Sequence, residues 1–114
     1  MTHYMSLRDR PFSMIASGKK TIELRLLDEK RKAISVGDIL VFGNTKDENL
    51  VIKCTVKKLH IFPSFEELYQ ALPLDKCGYL PEELESASPG DMEDYYPVER
   101  QAKYGVVGIE LKPI

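Results

Sequence analysis

Hydrophobic and polar residues alternate in several segments of the chain with the two-residue period of a β-strand. In the first such segment each residue differs in polarity from the next: Thr21, Ile22, Glu23, Leu24, Arg25 and Leu26. Successive side chains of a strand point to opposite faces, so the apolar set should pack on a core and the polar set should face away from it. Further strand patterns cover ILVFGN at 39–44, LVIKCTVKKLHIF at 50–62 and YGVVGIELKPI at 104–114.

The long strand segment at 50–62 changes phase in its middle. Apolar residues keep one phase up to Val56 and the other phase from Leu59 onward. A slip of this kind near residues 57–58 is typical of a β-bulge, and bulges bend strands at the corners of small barrels. The segment is therefore predicted to be one bent strand.

Helix signals lie between the strand patterns. Asp9 is the predicted N-cap of a first helix, with Pro11 in its first turn and Gly18 at its end. A capping box, SFEE at 64–67, begins another helix, and shorter helices are predicted after Pro81, at 88–91 and after Pro97. Residues 28–34 are predicted to form a turn or a single helical turn. Together the patterns predict one α+β domain over residues 1–114 with a closed or nearly closed sheet.

Composition narrows the class of protein. The chain has 114 residues, an ordinary charged fraction of 30% and no apolar run near the roughly 20 residues that a membrane span needs. The N-terminus does not have the pattern of a secretory signal. The two cysteines fit reduced thiols of a cytoplasmic protein. Cys54 is predicted to be a small core residue, Cys77 and His60 have no identifiable partner, and we expect neither a metal site nor a cofactor.

The charge of the chain is unevenly distributed. Residues 1–60 carry 12 Lys or Arg against 7 Asp or Glu, whereas residues 61–114 carry 4 against 11, which gives balances of +5 and −7. A basic half can form a surface that attracts anions although the whole chain has a net charge of −2. The alternative is that these are ordinary solvated residues whose distribution along the sequence is uneven and has no function. The sequence leaves both interpretations open.

The order of several short motifs resembles that of a known family. GKKTIELR at 18–25, followed by Gly37-Asp38, resembles the G-x-K-T-x-E-x-R…G-D signature of the ASCH family. RDRPF at 8–12 and the stretch from Tyr95 through KYGVV at 103–107 resemble other parts of the same family, so the resemblance covers nearly the whole chain. It implies a PUA-like β-barrel of mixed, mostly antiparallel strands with flanking short helices, a cleft across the barrel, and binding of RNA.

The resemblance also raises the question of catalysis. One branch of the family hydrolyses the amide of an acetylated cytidine with a Lys, a Thr nucleophile and a Glu, and its Thr stands two places after the K-T pair. This chain has Glu23 at that position. The nucleophile of that branch is therefore missing at this position. If the protein is nevertheless an enzyme, Lys20 and Glu23 are expected to supply acid–base chemistry, and Thr21 is the hydroxyl adjacent to them in sequence.

The candidate binding residues combine charge with stacking surface. Arg25 can hold a phosphate with its planar fork, and Lys20 can contact one as a point charge. Glu23 can accept a hydrogen bond from the amino group of a base such as cytosine. Arg8 is either a further phosphate contact or a solvated surface residue. Tyr104 is expected near the cleft because it precedes the glycine that opens the last strand and matches the family, either as a base-stacking residue or as a wall residue whose hydroxyl reaches a buried partner. The alternative is that Glu23 pairs with its basic neighbours on a surface.

Three functions remain open from the sequence. The first is an RNA- or nucleotide-binding module with a cleft lined by the strand at 21–26. The second is a hydrolase that acts on a modified nucleoside, as an amidohydrolase on acetylated cytidine, or on RNA itself. The third is a protein-interaction domain that uses the acidic region from Glu82 to Asp94.

Overall fold

The computed structural model describes residues 1–114, and its strands form a single mixed sheet. The strands are β1 (Thr2–Leu7), β2 (Ile22–Leu26), β3 (Ile39–Asn44), β4 (Val51–Phe62) and β5 (Val106–Pro113). Their order across the sheet is β1-β3-β4-β5-β2. β1 and β3 are parallel, and every other neighbouring pair is antiparallel. The sheet curls into a half-barrel that is open between its edge strands, β1 and β2.

Short helices flank this sheet. They are α1 (Asp9–Ala16), α2 (Glu29–Lys32), α3 (Phe65–Ala71) and α4 (Val98–Tyr104), with 3₁₀ segments at Leu74–Lys76, Pro81–Ser86 and Pro89–Met92. None of the helices has the length and apolar character that crossing a bilayer would require. The predicted α+β, PUA-like architecture of mixed, mostly antiparallel strands is confirmed.

The sequence prediction differs from the structure at the N-terminus. β1 was not predicted as a strand, although His3, Met5 and Leu7 are buried in alternation with exposed residues. The helix that follows begins at Asp9 itself, with Arg8 in the N-cap position, so the predicted cap is wrong by one residue. The Asp9 carboxylate instead accepts a hydrogen bond of 3.2 Å from Asn44 Nδ2 and joins α1 to the end of β3.

The predicted bulge in β4 is confirmed. The pairing of β4 with β5 passes from Val56 opposite Leu111 to Lys58 opposite Glu110, so Lys57 is the extra residue. The bulge bends β4 and lets its two halves pair with different parts of the sheet, the first half also with β3. It therefore contributes to the curl of the half-barrel.

Two hydrophobic clusters lie on opposite faces of β5, and the outer one also takes in the apolar side chains of β2. The interior cluster includes Val107 and Ile109, together with residues of β1, β3 and α1. The outer cluster packs the apolar set of β2 against α3: Ile22, Leu24, Leu26, Phe65 and Leu68. The apolar phase of β2 is thus buried, as predicted.

The prediction for the polar face of β2 is wrong. Glu23 is paired directly with Ile109 and Arg25 with Val107, and directly opposed residues of an antiparallel pair share a face. The polar side chains therefore point toward the interior of the half-barrel, because the apolar set of β2 is taken up by α3 on the outside. Only 3% of the Glu23 surface is exposed.

Candidate functional site

A cavity of about 470 Å³ occupies the open side of the half-barrel. Its floor is formed by Lys20, Glu23 and Arg25, and one side is formed by the start of α1. The opposite side is formed by the segment 77–96, which carries most of its aromatic lining. The volume falls within the roughly 300–1,000 Å³ that is usual for sites of small ligands.

The floor of the cavity is a chain of three buried ionic groups. Glu23 Oε1 lies 2.7 Å from Lys20 Nζ, and Glu23 Oε2 lies 2.8 Å from Arg25 Nε. The side chains of Lys20, Glu23 and Arg25 are only 10%, 4% and 14% exposed. Arg25 Nη2 also donates 3.1 Å to the carbonyl oxygen of Ser6, so its side chain crosses the opening from β2 to β1. We call these three groups the ionic floor.

The turn before β2 brings Lys20 to the floor. Gly18 has a φ of +81°, a backbone conformation that residues with a Cβ rarely adopt, and it reverses the chain after α1. The Lys20 backbone N–H then donates 3.0 Å to the carbonyl oxygen of Met14. The stem of Lys20 passes close to Gly78, where an added Cβ would lie 3.4 Å from Lys20 Cδ. The turn at Gly18 therefore brings Lys20 to the cavity, where it lies beside Glu23.

The electrostatics of the ionic floor keep Glu23 charged. Burial by itself would raise the pKa of Glu23, but the charges and hydrogen bonds of Lys20 and Arg25 outweigh it and hold that pKa below its ordinary value. Burial likewise opposes the charge of Arg25, and the Glu23 carboxylate more than compensates, so the pKa of Arg25 is raised. The floor therefore carries a net positive charge. Lys20 keeps hydrogen-bond donors that its contact with Glu23 does not use.

A hydrogen-bonded chain of hydroxyls forms part of the opposite wall. The hydroxyls of Tyr69 and Tyr79 lie 2.7 Å apart, and the Tyr79 hydroxyl donates 2.7 Å to Asp91 Oδ2. Burial raises the pKa of Tyr69 to about 12 and also raises that of Tyr79, so both phenols are neutral donors. Asp91 also accepts from the backbone N–H of Ser88, which fixes the 3₁₀ segment on which it lies.

Tyr95 and Tyr96 complete the aromatic lining of the cavity. The ring of Tyr96 stacks on Phe65 with centroids 5.9 Å apart, and its carbonyl oxygen accepts from Gln101 Nε2 at 2.8 Å. Burial raises the pKa of the Tyr96 phenol. Tyr95 is 55% exposed and lies at the rim, where the guanidinium of Arg8 is 5.5 Å from its ring centroid. An exposed ring beside a cation offers a surface on which a base can stack.

The structure brings together most of the sequence-predicted site residues. Lys20, Glu23, Arg25 and Arg8 all line the cavity. Thr21 does not line it, and its backbone N–H donates 2.8 Å to the carbonyl oxygen of Lys76.

Tyr104 also lies outside the cavity lining. It ends α4 and packs against the outer hydrophobic cluster, with Lys103 Nζ 5.1 Å and Arg100 Cζ 5.9 Å from its ring centroid.

Sequence reasoning missed several residues of the cavity wall. None of its four tyrosines, Tyr69, Tyr79, Tyr95 and Tyr96, was among the predicted binding residues. Cys77 lines the cavity with a buried thiol, and burial raises its pKa to about 12, so the thiol is neutral. The available signal was the density of tyrosines between 69 and 96.

The other unassigned residues lie elsewhere. Cys54 is fully buried in the interior cluster, as predicted. His60 Nε2 lies 2.8 Å from Glu110 Oε1 across β4 and β5, and neither residue lines the cavity.

Comparison with known proteins settles the family. The model of the ASCH domain family matches residues 5–114, nearly the whole chain. This chain belongs to the ASCH domain family. Lys20, Glu23 and Arg25, which lie in the sequence motif that resembles this family, form the ionic floor of the cavity. The comparison with curated proteins finds no match.

Solved structures agree with this assignment. The hypothetical protein PH0355 is 35% identical over 100% of both chains, with a TM-score of 0.80. Protein PF0455 from Pyrococcus furiosus is 33% identical over 100% of this chain and 98% of its own, with a TM-score of 0.69. ASCH from Zymomonas mobilis is 18% identical over 99% of this chain and 70% of its own, with a TM-score of 0.67, which shows that the fold is shared.

Proposed function

We propose that this ASCH domain binds RNA and that it takes one nucleotide of a single strand into the cavity. ASCH domains are PUA-like domains that generally bind RNA. The observation that carries the proposal is the ionic floor, a buried set of three charged groups with a net positive charge, set below an aromatic wall. A cytoplasmic RNA is the proposed partner, because both cysteines are free thiols, the state that a reducing compartment maintains.

The floor suits the polar edge of a base. Glu23 is an ionised acceptor held in place by two cations, and it can accept from an exocyclic amino group. Unused donors of Lys20 and Arg25 can bind a carbonyl oxygen or ring nitrogen beside that group. Cytosine presents both kinds of atom on one edge, so cytidine is the first nucleoside to test. Tyr95 supplies the stacking surface, and Arg8 lies beside it for a phosphate.

Replacing Tyr95 by alanine tests this arrangement. Loss of one stacked base contact should weaken binding by about 1–3 kcal/mol, or about 5- to 150-fold. The matched control is Tyr4→Ala, because Tyr4 is 67% exposed on β1 and does not line the cavity. Binding of labelled short single-stranded RNA is measured by fluorescence anisotropy, and binding of nucleosides by calorimetry.

Two results would overturn the proposed function. One is that neither RNA nor any nucleoside binds the wild-type protein, even at low salt. The other is that Tyr95→Ala and Tyr4→Ala bind RNA equally well. The first result would show that RNA and nucleosides are not the ligands, and the second would show that RNA does not bind in the cavity.

The hydrolase alternative rests on the contact of 2.7 Å between Lys20 and Glu23 inside the cavity. It has less support than binding for two reasons. Thr21 does not line the cavity, and both oxygens of Glu23 are engaged by cations that lower its basicity. Release of acetate from acetylated cytidine, abolished by Glu23→Gln, would favour the enzyme over the binding module.

The protein-interaction alternative concerns a segment that is itself part of the cavity. Glu83 pairs with Arg10, and Asp91 accepts from Tyr79, and all four residues line the cavity. Charge reversal across residues 82–94 would therefore disturb RNA binding as well. A selective test must use an exposed acid that does not line the cavity, such as Glu85.

A further inference from the structure

A second recess of about 340 Å³ adjoins the cavity along α1. Six residues line it: Arg10, Ser13, Met14, Ser17, Lys19 and Leu80. We call it the α1 groove. Arg10 and Met14 also line the cavity, so these two side chains border both recesses.

The lining of the α1 groove is suited to an oxygen-rich anion. It contains two cations and two hydroxyls, and no acidic residue. Arg10, Ser13 and Ser17 follow one another at spacings of three and four residues, which places them along one side of α1. The Ser17 hydroxyl donates to the carbonyl oxygen of Met14, whereas the exposed Ser13 hydroxyl is available to a ligand. Lys19 is exposed and follows the turn at Gly18.

Arg10 borders both recesses. It is paired with Glu83 on the cavity wall, yet 58% of its side chain is exposed. An exposed pair of this kind contributes little stability, so a phosphate can displace the carboxylate at small cost. From Arg10 to Ser17 the helix rises about 10 Å, which gives room for a phosphate beside the cavity.

We propose that the α1 groove binds the phosphate of the nucleotide next to the one held in the cavity, so that a single RNA strand leaves the cavity along α1. This inference rests on the proposed function, because it assigns a direction to the strand that the cavity binds. It also predicts that an oligonucleotide binds more tightly than a nucleoside.

Lys19→Gln is the sharpest test, because Lys19 lines the α1 groove and not the cavity. The matched control is Lys112→Gln, the same change at an exposed lysine of β5 that lines neither recess. The probes are cytidine and the trinucleotide CpCpC. For a single strand, each phosphate that the protein neutralises contributes about 0.7 to the slope of log affinity against log salt concentration. Near 0.1 M salt, the loss of one such contact should therefore weaken binding by about fivefold.

The expected result separates the two recesses. Lys19→Gln should weaken CpCpC binding by about fivefold and lower its salt slope by about 0.7, whereas cytidine binding stays unchanged. Lys19→Arg should restore both quantities, because it returns the charge. Lys112→Gln should behave as the wild type.

Two results would overturn the inference and leave the proposed function standing. In the first, CpCpC binds no more tightly than cytidine. In the second, Lys19→Gln loses no more affinity than Lys112→Gln. If instead neither cytidine nor CpCpC binds the wild type, the proposed function itself fails, and the inference fails with it.

Discussion

Glu23→Gln keeps the shape of the side chain but removes the charge that holds Lys20 and Arg25 together. The contacts of 2.7 and 2.8 Å lie among side chains that are at most 14% exposed, so the two cations would remain buried without a counter-charge. Loss of one partner from such a buried pair costs about 3–5 kcal/mol. The amide oxygen of Gln can still accept one hydrogen bond, so the lower end of that range is expected. About 3 kcal/mol corresponds to about 10 °C in the melting temperature of a domain of this size.

The loss should also depend on pH. Burial favours the neutral form of Glu23, but Lys20 and Arg25 hold its pKa in the folded protein below the ordinary value of 4.5. The unfolded chain therefore binds the proton more readily than the folded one. The stability that Glu23 contributes is fully present above pH 4.5 and is lost as the pH falls through the lower pKa of the folded state. The difference between wild type and variant should shrink toward acid pH.

Urea denaturation at a series of pH values measures this effect. The control variant is Glu48→Gln, which removes an exposed carboxylate from the loop between β3 and β4. Its stability should lie within about 0.5 kcal/mol of the wild type. If Glu23→Gln is as stable as Glu48→Gln, or if its stability follows the same pH curve as the wild type, the reasoning about the ionic floor is refuted.

Two further predictions concern positions outside the cavity. Gly105→Ala should lower the free energy of unfolding by about 1–3 kcal/mol. Gly105 has a φ of +75°, and an added Cβ would lie 3.2 Å from the carbonyl oxygen of Phe62. Thermal melting measures the loss, and the control Gly90→Ala should show none, because its added Cβ makes only an ordinary contact. Asp38→Asn should weaken the decrease in the free energy of unfolding at acid pH. The hydrogen bond from His3 helps lower the pKa of Asp38 from 3.8 to about 2. The stability that Asp38 contributes is therefore present above pH 3.8 and is lost as the pH falls toward 2. Urea denaturation of wild type and variant over this pH range tests the second prediction. A free energy of unfolding that falls equally in both proteins would contradict it.

An element of the fold was predictable where its local sequence pattern is compatible with only one kind of structure. The bulge at Lys57 shows in the sequence as a change of apolar phase. Two prolines mark the starts of helical segments: Pro81 is the first residue of its segment, where proline is tolerated, and Pro97 is the N-cap of α4. β1 escaped prediction because one of its inward residues is the polar His3. Periodicity alone gives no reason to place a histidine in a core.

The candidate site was predictable only in part. The alternation in β2 correctly places Glu23 and Arg25 on one face, but it does not say which face of the strand points into the half-barrel. That choice depends on α3, which covers the apolar face of β2 from a segment about 40 residues further along the chain. The tyrosines of the wall come from the segment 69–96, and their hydrogen bonds depend on tertiary contacts that no local pattern encodes.

Chemical-shift mapping with the trinucleotide CpCpC tests the central claim most directly, because it reports where the RNA touches the protein. The account predicts that the backbone amide signals of Gly78, Met92 and Tyr96, on the cavity wall, shift progressively as the trinucleotide is added. The amides of Val51 and Lys53, on the exposed side of β4, should stay unchanged. Shifts confined to β4, or no shift anywhere at low salt, would contradict the claim that this ASCH domain binds RNA in the opening of its half-barrel.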